Sequence, residues 1–168
     1  MKRIQLFEFE DFGWFPDFLR VCMTRYVALI HRLLGTRKDL LALLGRALGR
    51  SKAARIVDLC SGSGGPMIDV ATDLRATGAH DGLELVLTDL YPNQEAAARI
   101  NGGADKGVRY LTEPVNAASL GSEQSGVRTM MCSLHHMPPG VARAIFADAQ
   151  ESGAPFCAYE ISDNSIPI

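Results

Sequence analysis

Several things are scarce in this sequence of 168 residues, and each scarcity closes off a class of protein. Charge of one sign is missing: 17 Lys and Arg against 19 Asp and Glu leave a net charge of −2, so no nucleic-acid backbone is expected as partner. The one loose basic group, Arg46, Arg50, Lys52 and Arg55, reads as a solvated helix end. Cysteine is limited to Cys22, Cys60, Cys132 and Cys157, with no CxxC or other metal-ligand spacing. Three of them fall inside apolar runs that read as strands, which predicts buried free thiols and a reducing cytoplasm. No run of about 18 apolar residues occurs, so no membrane span is expected. Acidic residues interrupt the N-terminus before an apolar run builds up, which argues against a signal peptide. Repeats and low-complexity tracts are also missing. What remains is an ordinary globular composition, 47% hydrophobic and 21% charged, of a length that suits one domain with a sizeable core.

The first 50 residues read as helical. Pro16 and Asp17 suit a helix start. Leu19, Cys22, Met23, Tyr26, Ile30 and Leu33 then recur at helical spacing, and Gly35 stops the run. Thr36 with Asp39 resembles a capping box for a second helix, with Leu40, Leu41, Leu44 and Leu48 on one side and an end at Gly49. Beyond residue 50 the pattern alternates. Strands are expected at Arg55–Cys60, Glu84–Asp89, Val108–Leu111, Arg128–Ser133 and Phe156–Ile161. Helices are expected from Pro66 to about Thr77, at Asn93–Ile100 and at Pro139–Glu151, the last with Val141, Ile145, Phe146 and Ala149 inward. This order implies βαβ units and an α/β fold with a mainly parallel sheet of about five strands. The chain divides into residues 1–50, a helical lid or cap, and residues 51–168, the α/β core. Ligand binding is then expected at the carboxyl ends of the strands, at a switch in strand order.

The strongest motif is Ile56 to Pro66, where an apolar strand runs into Cys60-Ser61-Gly62-Ser63-Gly64-Gly65 and then into a helix. Glycines let backbone approach a ligand closely, and the helix start offers unpaired N–H groups. Asp89 ends the second strand, 25 residues beyond Gly64. A carboxylate there can accept bonds from both hydroxyls of a ribose. A dinucleotide cofactor wants a third glycine where Met67 stands, and Pro66 removes an N–H that a pyrophosphate would use. A ribose-bearing cofactor without phosphate tolerates both.

These residues resemble class I S-adenosylmethionine-dependent methyltransferases. Asp58 to Gly65 looks like motif I of that family, and Asp89 its acidic residue after strand two. Glu113 to Ala118 lies where the family contacts adenine. Met131-Cys132-Ser133-Leu134-His135-His136-Met137-Pro138-Pro139 is similar to its strand-four motif. The likeness spans about residues 54–162. It implies a Rossmann-like three-layer αβα sandwich preceded by two helices, binding S-adenosylmethionine and releasing S-adenosylhomocysteine. Cofactor contacts are implied at Asp58, Cys60, Ser61, Gly62, Gly64, Asp89, Leu90, Asn116, Ala117, Ser133 and Leu134. His135, His136 and Glu160, near strand ends, are candidate catalytic bases. No metal is required.

Two positions depart from the family. Cys60 stands where a glycine is common, and Asn116 where an aspartate meets the adenine amino group. The family's last antiparallel strands are not seen in this sequence, which predicts an open edge strand and, with it, dimerisation. The aromatic run Phe7 to Pro16 reads as core contacts for the first helix, or as a lid over an apolar substrate. The function implied is methyl transfer to a small molecule in the cytoplasm. The alternatives are a catalytically silent cofactor-binding subunit and an NAD-binding oxidoreductase.

Overall fold

The computed structural model describes residues 12, 14–121 and 124–161. Five strands, β1 (Arg55–Asp58), β2 (Glu84–Leu87), β3 (Val108–Tyr110), β4 (Val127–Met131) and β5 (Phe156–Tyr159), form one sheet in the order β3-β2-β1-β4-β5. Every pair is parallel. The fold is therefore α/β and Rossmann-like, as the alternating pattern predicts. The apolar runs of β1, β2 and β4 are buried on both faces, which is how inner parallel strands read in sequence.

Two helices, α1 (Asp17–Leu34) and α2 (Arg37–Ser51), precede the sheet, and α3 (Met67–Ala76), α4 (Gln94–Asn101) and α5 (Pro139–Glu151) follow its strands. Leu40, Leu44 and Leu48 of α2, Met67, Val70 and Leu74 of α3, and Ala97 and Ile100 of α4 join Ile56, Leu85, Leu87 and Val127 in one core. Ile145 of α5 joins Val57, Leu59, Ala117, Leu120 and Met130 in a second. These two cores make the outer contacts of three layers. Asn93 caps α4 by accepting from the Ala96 amide at 2.7 Å.

The order of the strands fixes where a ligand can sit. From β1 the chain runs outward through β2 and β3, then returns to place β4 on the other side of β1. The crevice at the carboxyl ends of β1 and β4 is the switch point.

Local expectations needed correction. Thr36 makes no capping bond. Its hydroxyl instead donates to the His31 carbonyl at 3.2 Å and meets His31 Nδ1 at 2.6 Å, so it serves the preceding helix. The second helix runs through Gly49 to Ser51. On α5, Ile145 and Ala149 are buried, but Val141 and Phe146 are exposed. Phe146 lies edge-on to Phe156 with centroids 5.0 Å apart, at the β5 edge of the sheet. Of the cysteines only Cys157 is buried; Cys60 and Cys132 are half-buried and Cys22 is exposed. Cys22 belongs to the α1 stripe, most of which faces outward.

Buried Arg128, on β4, was not singled out by sequence. It bonds Asp148 at 2.5 Å, the Gly121 carbonyl at 2.8 Å and the Ser152 hydroxyl at 2.7 Å. Asp148 also accepts from the Leu120 and Gly121 amides. Burial would raise the Asp148 carboxyl, but the bonds from Arg128 and those amides hold it below its usual value.

Candidate functional site

A cavity of roughly 810 Å³ opens at the switch point, within the range of small-molecule sites. Its floor is the loop after β1. Asp58, the last residue of β1, is buried. Its carboxylate accepts from Thr129 Oγ1 at 2.6 Å and Ser61 Oγ at 2.7 Å. Burial outweighs these bonds and, with the negative charge of Asp89 nearby, pushes the carboxyl up to about 6.

Asp89 stands at the tip of β2. Its Oδ2 accepts from the Gly62 amide at 2.8 Å and its Oδ1 from the Tyr91 amide at 2.9 Å. The Leu90 amide also bears on this carboxylate, which still keeps acceptor capacity toward the cavity. Burial raises this carboxyl too. Tyr110 on β3 donates its hydroxyl to the Gly62 carbonyl at 2.6 Å, so three strands hold one glycine.

The loop backbone explains its composition. Gly62 has φ +56, and a Cβ there would lie 2.8 Å from Thr24 Oγ1 of α1. Gly64 has φ +115, and its Cβ would meet Ile68 at 2.9 Å. Both glycines are favoured by their positive φ, and Gly62 also by the close approach of α1. Cys60, the first residue of the turn, has φ 57. A left-handed backbone favours glycine there and leaves cysteine strained by about 1–2 kcal/mol. Cys132, after β4, shares this conformation at φ 53.

Of the sequence-derived cofactor residues, Asp58, Cys60, Ser61, Gly62, Asp89, Leu90, Asn116, Ala117 and Ser133 line the cavity. Gly64 and Leu134 do not. Gly64 packs toward α3 and α4, and Leu134 against the second core. The Asn116 side-chain oxygen accepts from the Ala118 amide at 2.9 Å, which uses one of its two lone pairs. Ser133 Oγ is buried without a hydrogen-bond partner among the described residues, an opening for a polar ligand atom.

The candidate bases separate. His136 borders the cavity. His135 and Glu160 do not; they pair with each other, His135 Nδ1 to Glu160 Oε2 at 2.7 Å. Glu160 also accepts from the Leu134 amide at 2.9 Å, so it fixes the turn after β4.

Sequence reasoning assigned residues 1–50 to a lid or cap but named no cavity residue on α1. Arg20, Met23, Thr24 and Val27 of α1 border the cavity, as does Phe12. Phe12 also stacks on Trp14 with centroids 5.9 Å apart. The lid reading of the aromatic run falls partly on residues 7–11 and 13, which lie outside the described residues. The signal available in sequence was the small polar Thr24 within the apolar repeat of Met23, Tyr26 and Val27. It meets the Ser63 amide at 3.4 Å.

The roof is pinned by His31. Thr36 Oγ1 gives its hydrogen to a carbonyl, so His31 Nδ1 donates to Thr36 and Nε2 is left to accept from the Cys132 thiol at 3.4 Å. Burial holds His31 below its usual value and pushes Cys132 up to about 11. The pair is a neutral hydrogen bond, a docking contact rather than a thiolate.

Among the described residues no group of His, Cys, Asp or Glu is placed to hold a metal ion, and no helix is long and apolar enough to cross a membrane. No protein-family model matches the chain, and no curated protein matches it.

Proposed function

We propose that this chain is an S-adenosylmethionine-dependent methyltransferase acting on a small molecule. Asp89 carries the reading. Its carboxylate sits at the tip of β2, beside the Gly62 loop, and keeps lone pairs for the two hydroxyls of a ribose. A second feature supports a cofactor with positive charge. Asp58 and Asp89 border one cavity and both are raised by burial. Arg20, which borders the same cavity, already offsets part of that cost at Asp89, and a bound cation would offset more, whereas a pyrophosphate would add negative charge beside both carboxyls. This charge argument joins Pro66 and Met67 against a dinucleotide.

The residues present fit such a group. Asp89 would take the ribose, Asp58 and the Ser61–Gly62 loop the amino-acid end, and Asn116 and Ala117 the adenine. When bound, S-adenosylmethionine supplies an electrophilic methyl carbon, whose bond to sulfur breaks as an acceptor's lone pair forms the new bond. The protein's part is alignment and exclusion of water, for which α1 provides the roof. His136 is the candidate to receive a proton from the acceptor, since it borders the cavity.

One observation favours a silent cofactor-binding subunit: two of three candidate bases are turned into a structural pair. Two measurements test the proposal. Thermal shifts are expected with S-adenosylmethionine and S-adenosylhomocysteine and not with NAD; a shift with NAD alone overturns it. Formation of S-adenosylhomocysteine with a library of small acceptors separates enzyme from silent subunit.

A further inference from the structure

A helix on a domain surface holds its place by burying apolar side chains, as α2 does with Leu40, Leu44 and Leu48. Helix α1 does not. No residue of it enters either hydrophobic core. Its inward residues Met23, Thr24 and Val27 face the cavity instead. Among its described side chains only His31 is buried. The Arg32–Asp69 pair is exposed and so holds weakly. The Thr24 contact to the Ser63 amide is long, at 3.4 Å. The buried anchor of the roof is therefore a titratable ring.

That ring is bonded at both nitrogens, and the pattern suits its neutral form. Nδ1 donates to Thr36 Oγ1 at 2.6 Å, and Nε2 accepts from the Cys132 thiol at 3.4 Å. A protonated ring donates from both nitrogens, so Nε2 would confront the thiol hydrogen, and sulfur is a weak acceptor. The groups around the ring do not replace the lost bond. Cys132, pushed up to about 11, keeps its proton and offers no thiolate to an imidazolium. Tyr159 of β5 presents its ring, with centroids 5.8 Å apart. Glu160 lies near Cys132 but is held by His135 and the Leu134 amide. Asp39 of α2 acts on Tyr159, and Asp69 of α3 is taken by Arg32, the cation next to His31. Among the described residues no carboxylate bonds His31, and burial disfavours charge on it.

We propose that His31 is a proton-sensitive latch: its neutral ring docks α1 over the cavity, and its protonation releases the helix. Gly35 supplies the pivot. It ends α1 with φ +67, and α2 beyond it is fixed in the core, so α1 can swing while the sheet stays intact. The docked ring binds its proton less tightly than the released ring, whose value is the ordinary 6.5. Docking is therefore fully present well above 6.5 and weakens as pH falls through it, by up to about tenfold between pH 7.5 and pH 5.5. The latch does not depend on which ligand the cavity takes; its effect on S-adenosylmethionine rests on the methyltransferase reading.

Hydrogen exchange of the full chain, followed by mass spectrometry and corrected for the intrinsic effect of pH, reads the latch without a ligand. Protection of peptides from residues 18–34 should fall by up to about tenfold between pH 7.5 and pH 5.5, while peptides from α2 and β1 keep theirs. His31→Gln cannot titrate and should abolish the step. His31→Arg, charged at every pH, should leave α1 unprotected at pH 7.5. Equal protection of α1 at both pH values overturns the proposal. So does a step that survives in His31→Gln, or a loss in the parent that α2 and β1 share. Calorimetry then reads the site. Asp58 acts alike in parent and variant, so S-adenosylmethionine affinity should fall more in acid for the parent than for His31→Gln; an equal fall overturns control of the site by the latch. A protection step without S-adenosylmethionine binding at either pH supports the latch and counts against the methyltransferase reading.

Discussion

Asp89 Oδ2 and the Gly62 amide, 27 residues apart in sequence, meet at 2.8 Å. The bond ties the tip of β2 to the turn after β1, so the proposed ribose acceptor also organises the loop. Asp89→Ala should weaken S-adenosylmethionine binding by about 1.5–3 kcal/mol, the scale of a hydrogen bond to a charged group. Asp89→Asn keeps one acceptor oxygen and should lose less. Calorimetric titration of both variants checks this, and unchanged affinity in Asp89→Ala removes the ribose assignment.

Asp58 should make cofactor binding depend on pH. Its carboxyl is raised to about 6 in the folded protein, and a bound cation lowers that value. Binding below about pH 6 should therefore release protons, and the release should fade toward pH 8. Titrations in buffers of different ionisation enthalpy measure it. Proton uptake, or none at pH 5.5, would contradict the arrangement.

The same group affects stability, with a definite sign. A carboxyl raised in the folded state binds its proton more tightly there than in the unfolded chain. Its contribution is fully present below the unfolded value, 3.8, and is lost as pH rises through about 6. The span corresponds to about 3 kcal/mol. His31, lowered by burial, acts in the opposite direction, so the comparison must isolate Asp58. Asp58→Asn should gain stability over the parent from pH 4 to pH 7, measured by urea unfolding. A constant difference across that range would show that Asp58 does not titrate there.

Gly62→Ala tests the fit of α1 on the loop. The left-handed backbone alone costs about 1–2 kcal/mol, and the new Cβ would sit 2.8 Å from Thr24 Oγ1. Thr24→Ala removes that oxygen, so Gly62→Ala should cost less in its presence. A double-mutant cycle with no coupling would place α1 further from the loop.

Arg128 and Asp148 should behave as a buried pair. Arg128→Ala leaves Asp148 and the Gly121 carbonyl without their charged partner and should cost about 3–5 kcal/mol. Asp148→Asn keeps one of the two acceptor oxygens that serve Arg128 and the amides of Leu120 and Gly121, and should cost less. Equal, small effects from both would mean that Arg128 finds other partners.

Much of the fold could be read from particular residues. The apolar runs at Ile56, Leu85 and Met130 gave parallel strands because such strands are buried on both faces. Asn93, Pro139 and Gly35 marked helix ends where those residues stand in the structure. The loop residues from Asp58 to Gly62 and Asp89 came together because their roles depend on local turn geometry, which sequence records. The failures involve contacts between distant segments. Thr36 has the form of a cap, yet His31, bound in turn to Cys132, holds its hydroxyl. His135 and Glu160 looked like separate bases because sequence gives no hint that they pair. Cys60 made no sense as a side chain; its backbone, at φ 57, is what distinguishes the position.

The placement of α1 has a consequence for how the molecule would respond to its ligand. One side roofs the cavity through Arg20, Thr24 and Val27, and the same helix is tied down by the His31–Cys132 contact and the Arg32–Asp69 pair. A ligand seated beneath it meets a wall that shifts as one rod, so a change at either tie should alter the whole roof rather than a single side chain.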